Sequence, residues 1–168
     1  MLKKIAVLMF CALPMLAMAE IRLAHINSGE IMMAMPERAE IQRAMEARSA
    51  EWEDMLVSIH EEYMTKMREF QERFEGMSPS VREVLQSELM DLERRWTNTN
   101  QIATADLQQL NAELLMPVIQ RVRTAIDAVA TENNFLYVFD VGATEGIVHV
   151  SPSAIDATPL VKARLGIR

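Results

Sequence analysis

The chain has 168 residues, with 24 acidic against 17 basic side chains, five glycines, one cysteine and three histidines. A net charge of −7 excludes a nucleic-acid binder, which needs a basic footprint over phosphates. Gly29, Gly76, Gly142, Gly146 and Gly166 compose no phosphate-cradling loop, and one cysteine with scattered histidines gives no zinc framework.

Residues 1–19 read as a secretory signal peptide. Lys3 and Lys4 precede the apolar run Ile5 to Leu16, and Ala17-Met18-Ala19 forms a small-x-small cleavage site before Glu20. The run is too short for a permanent membrane anchor. Phe10 stands before Cys11, where a lipoprotein signal needs a small residue. The exported chain is expected to begin at Glu20 with 149 residues, no cysteine and no membrane-spanning segment. Without disulfides, packing or assembly must supply its stability.

Glu20 to Asn27 alternates and is rich in β-formers, which predicts a strand. Asn27 and Glu30 have capping-box spacing and open a short helix through Met35, which Pro36 ends. From Glu37 to Glu75 there is neither Gly nor Pro, and the residues are good helix formers. Apolar positions recur at Ile41, Met45, Trp52, Leu56, Ile59, Tyr63, Met67, Phe70 and Phe74, with Arg48 in one apolar slot. Gly76 suits a helix C-terminus, and Ser78 with Pro79 suits the start of the next helix. That second helix is predicted from Pro79 to about Thr131, carrying Val81, Leu85, Leu89, Leu92, Trp96, Ala103, Leu107, Leu110 and Leu114, with an interruption at Pro117.

The two stripes pair as an antiparallel hairpin. Ile41 with Leu114, Trp52 with Ala103, Ile59 with Trp96, Tyr63 with Leu92, Phe70 with Leu85 and Phe74 with Val81 share one constant position sum of 155. Its mirror point falls inside the turn, and the large Trp52 meets the small Ala103. The hairpin core is therefore expected at Trp52, Ile59, Tyr63, Phe70, Phe74, Val81, Leu85, Leu92 and Trp96. Pro36 and Pro117 mark its base. Beyond it, Phe135–Phe139 and Ile147–Val150 are predicted strands joined as a β-hairpin, and Thr158 with Pro159 opens a last helix.

The expected fold class is α+β and mostly α: a long helical hairpin arm (37–117) projecting from a small β-containing body (20–36 and 118–168). Phe135 to Phe139 is apolar on both strand faces, so the body is expected to form by self-association.

The post-signal segment IRLAHINSGEI, the MPE at the hairpin base, the returning LLMPVIQRVRTAIDAVATENNFLYVFD and the closing IVHVSPSAIDATPLVKARLG resemble the Skp/OmpH family of periplasmic chaperones. That resemblance covers the whole chain after the leader. It implies a periplasmic homotrimer whose arms surround a cavity, and an ATP-independent holdase for unfolded outer-membrane β-barrel proteins. The arm departs from the basic members of that family, because 37–117 holds 17 acidic and nine basic residues. Lipopolysaccharide binding and capture of acidic clients are therefore not carried over.

Off the pairing stripe, Val57, Met64, Met77, Val84 and Met90 are candidate client contacts, since flexible thioethers suit surfaces that accept many sequences. The bland alternative is that they pack on a neighbouring arm. His25, His60 and His149 read as structural, and the pairs Glu53-Asp54 and Glu61-Glu62 as solvated faces. Ser151 and Ser153 have no His/Asp set nearby. No catalytic group, metal or cofactor is expected. The competing function is a structural or adaptor hairpin of the cell envelope that docks one partner at its tip, Phe74 to Val84.

Overall fold

The computed structural model describes residues 21–143 and 146–167. The expected leader, residues 1–19, lies outside the described residues. In chain order the elements are β1 (Leu23–Ile26), α1 (Ser28–Ala34), α2 (Glu37–Arg73), a 3-10 turn (Phe74–Gly76), α3 (Pro79–Glu132), β2 (Tyr137–Asp140), β3 (Ile155–Asp156) and α4 (Thr158–Leu165). The molecule is mostly helical with one small parallel sheet.

The uninterrupted run of helix formers makes α2 a 37-residue helix, about 55 Å long at the usual rise. α3 is longer, 54 residues, and starts where Ser78 Oγ accepts the Val81 N–H at 3.4 Å with Pro79 at the first position. Cross-helix pairs give the register directly: Arg48–Asp106, Tyr63–Glu93 and Lys66–Glu88 have position sums of 154, 156 and 154. The expected antiparallel pairing about 155 agrees with them.

Two local expectations at this hairpin are corrected. Gly76 does not end α2 in a left-handed conformation; α2 stops at Arg73, and Gly76 closes a 3-10 turn that tightens the helix end before the reversal. Pro117 does not interrupt α3, which runs through it. A proline removes one ladder bond, and the packing of Val118 and Val122 immediately beyond holds the axis.

Where α3 passes the hairpin base it enters the core. Val118, Val122, Ala125 and Val129 pack with Ala24 and Ile26 of β1, Ile31 and Met35 around α1, Phe135, and Ala157 and Val161 around α4. Ile31 and Val161 are wholly enclosed, which stabilises by roughly 1.5–3 kcal/mol each. α3 ends with Asn134 in a left-handed conformation (φ 55°) and the Phe135 N–H returning to Ala130 O at 2.9 Å. α4 ends the same way at Gly166 (φ 74°), with Ile167 N–H reaching Lys162 O at 3.0 Å.

The sheet order is β2-β1-β3, with both neighbours parallel to β1. This overturns the expected β-hairpin. Residues 147–150 form no strand, and β2 pairs with β1 instead, Leu23 to Tyr137 through Ile26 to Asp140. Ile147–Val150 has β-forming residues, but among the described residues no strand pairs with it, and Val148 stands 96 % exposed. The third strand is Ile155–Asp156, set beside Ala24 and His25.

The start of α4 also differs from expectation. Thr158 is its first helical residue rather than its cap. Its Oγ1 accepts the Asn27 N–H at 3.0 Å, and its own N–H donates to Asp156 Oδ1 at 2.8 Å. The capping box at α1 is half formed. Asn27 Oδ1 accepts the Glu30 N–H at 3.0 Å, but the Glu30 carboxylate turns away to take Lys162 Nζ at 2.7 Å.

Candidate functional site

The arm is built around a polar clasp that sequence periodicity did not reveal. Arg48, the one basic residue on the apolar stripe of α2, pairs with Asp106 of α3 at 3.2 Å. Asp106 Oδ2 also accepts the Trp52 indole N–H at 2.8 Å. One helical stretch further toward the tip, the Tyr63 hydroxyl donates to Glu93 Oε1 at 3.0 Å. That hydrogen bond, with lesser help from burial and the Glu93 charge, raises the Tyr63 phenol above its ordinary value. Lys66 donates to Glu88 at 2.7 Å, and this bond raises its ammonium in turn. The only sequence signal for the clasp was Arg48 in an apolar slot, with an acid near its mirror position.

Between these two clasps the seam opens into a groove. Its outer part, about 480 Å³, is lined by Ile59, Tyr63, Leu92 and Trp96 among others. A second part of about 490 Å³ is lined by Trp52, Leu56, Val57 and Ala103 among others, and shares His60 and Trp96 with the first. Of the expected hairpin core, Ile59, Leu85 and Leu92 are buried, while Trp52, Tyr63 and Phe70 are partly covered. Phe74, Val81 and Trp96 are exposed instead, Trp96 at 43 %. Two helices cover only the line of closest approach, so large side chains on its flank keep one side open. Phe74 is sheltered differently: Phe70 meets it edge-on at 5.4 Å, and the Arg82 guanidinium lies 4.1 Å over its ring.

The candidate contact residues separate into two groups. Val57, Met64, Val84 and Met90 are exposed on the arm, and of these only Val57 lines the groove. Met77 is corrected: it is 9 % exposed, turned inward in the extended backbone where the chain reverses. The tip thus closes on itself rather than presenting that thioether.

In the body, one sheet face carries exposed large apolar side chains. Parallel partners share a face, so Leu23, His25, Tyr137 and Phe139 lie together opposite the core-facing Ala24, Ile26, Val138 and Ile155. Tyr137 and Phe139 stack at 6.1 Å, and Tyr137 is 60 % exposed. Parallel sheets are normally covered on both faces.

Asp140 and Asp156 tie this sheet to α1 and α4. Burial acts to raise the Asp140 carboxyl, but hydrogen bonds from Ser28 and from the Gly142 and Ala143 backbone outweigh it and hold it below its ordinary value. Asp156 is likewise lowered: burial opposes, while Thr158 and the neighbouring His25 prevail. Among the described residues no group of three His, Cys, Asp or Glu could hold a metal ion. No described helix is long and apolar enough to cross a membrane.

A family model for outer membrane protein (OmpH-like) matches residues 22–165. The chain belongs to the OmpH-like family. It is also similar to the chaperone protein Skp of Pectobacterium atrosepticum, 21 % identical over 141 residues, covering 84 % of this chain and 86 % of that one. For an OmpH-like chain the pieces above form one arrangement. The match takes in the arm with its groove and the exposed sheet face together, and the relative of similar length is a chaperone.

Proposed function

We propose that this OmpH-like chain is an ATP-independent holdase that acts in the periplasm on unfolded outer-membrane β-barrel proteins. In this account the leader is cleaved after Ala19. The exposed sheet face brings three copies together, and the arms enclose a cavity where clients are held weakly at many points. The observation that carries the reading is an OmpH-like match spanning arm and body, joined to a chaperone relative of similar length. Apolar side chains left open along a solvated acidic arm support it, since such a surface can accept many sequences. Binding and release of this kind need only a competing partner, so no residue is assigned a catalytic role.

The test is client breadth. The mature protein, without nucleotide, should suppress aggregation of several unrelated denatured β-barrels at one trimer per client. Binding to a single folded partner, with unfolded chains ignored, would establish the adaptor hairpin instead.

A further inference from the structure

The groove between the two clasps of the arm has a chemistry of its own. Trp52 and Trp96, the two tryptophans of the chain, both line it. The Trp52 N–H and the Tyr63 hydroxyl are each taken up by a carboxylate across the seam, so their polar edges need nothing from a ligand. What remains on offer is aromatic and aliphatic surface, interleaved with the neutral polar side chains of Ser49, Thr97, Asn100 and Thr104 and with His60, which both parts share. Among the described residues no lysine or arginine lines either part, whereas Glu53 and Glu93 do. Cations elsewhere on the same helices are paired: Arg48 is held by Glu51 and Asp106, Lys66 by Glu88, and Arg95 by Glu62.

Two independent features therefore select the same kind of occupant. Indole and phenol faces attract ammonium and guanidinium groups. Carboxylates at the groove wall attract the same groups and repel acidic ones. We infer that this groove binds extended client segments whose apolar side chains are flanked by lysine or arginine, and rejects the same segments flanked by acids. The inference rests on the holdase reading and assigns it a site and a charge preference.

The probe is a short synthetic peptide alternating Leu or Tyr with Thr and ended by lysines, compared with its twin ended by glutamates. Tryptophan emission of the mature protein is the readout, because both indoles report from the groove. The lysine-ended peptide should shift emission to the blue and bind about tenfold more tightly at low salt, with the gap narrowing as salt rises. Val57→Lys and Glu53→Lys, checked for unchanged helicity, should erase that preference. Equal affinity for the two peptides, or emission that neither moves, would overturn the inference. So would a Trp96 indole already shielded from acrylamide in the free protein with shielding that falls on dilution, which would show a second copy seated in the groove. Aggregation suppression is measured in parallel. If the wild type suppresses and both variants suppress equally, the groove assignment fails while the holdase stands. If the wild type does not suppress, the holdase reading fails, and peptide binding still judges the groove.

Discussion

Gly142 shows how one missing side chain holds several elements together. A Cβ there would lie 2.4 Å from Asn27 Oδ1 and 3.2 Å from the Gly29 nitrogen. Asn27 Oδ1 is the cap of α1, so Gly142→Ala should dislodge it and destabilise by about 1–2 kcal/mol. In an Asn27→Ala background the same change should cost much less, which a double-mutant cycle in urea would show. Asp140 and Asp156 give a pH signature. Both carboxyls are lowered in the folded state, so their contribution is complete above the ordinary carboxylate value near pH 4 and fades as pH falls through their depressed folded values. The variant Asp140→Asn/Asp156→Asn should melt below the wild type at pH 7, and the gap between the two should begin to close only as pH falls below the ordinary carboxylate value. Asn27 and Ser78 were legible because a cap is a local matter of residue type and spacing. Met77 was not. Its inward turn depends on how the chain reverses, which no pattern of neighbours in sequence describes.

At the scale of elements, the hairpin register emerged from periodicity because both helices are long and free of breaks. The clasp escaped because one arginine and one aspartate, 58 positions apart, look like ordinary surface charges until the helices pair. Asp106→Ala should lower arm stability by about 1 kcal/mol, since Arg48 and Trp52 both lose a half-exposed partner. Asp106→Asn should recover part of this by keeping an acceptor for the indole, as read from urea unfolding followed by tryptophan emission. The strands were the least legible. β3 is two residues long and exists because it lies beside β1, whereas the segment around Val148 has the propensity but no strand pairing with it among the described residues. Exposed Met64 and Met90 belong to this scale too. Changing both to Gln should weaken client holding severalfold without altering the melting curve, as light scattering of a denatured β-barrel would measure.

For the whole molecule, the sheet face on which Leu23, Tyr137 and Phe139 stand exposed sets the expected behaviour in solution. If copies meet there, the unfolding midpoint rises with protein concentration. Tyr137→Lys with Phe139→Lys should then yield a monomer by sedimentation while the arm stays helical. That Phe135 to Phe139 is apolar on both strand faces was readable; which residues would lie on the open face was not, because strand alternation fixes it only once the partner strand is known. The same sheet has a temporal consequence. Leu23 pairs with Tyr137 across the entire hairpin, so its ladder joins the beginning of the chain to a segment near its end. A loop of that length closes slowly by chance, and contacts of such separation slow folding. The antiparallel arm shortens the search, because zipping α2 onto α3 from the tip delivers both ends of the loop to one place. The arm is thus the splint on which the sheet is set. Any change that loosens the clasp should delay the sheet even though the two do not touch.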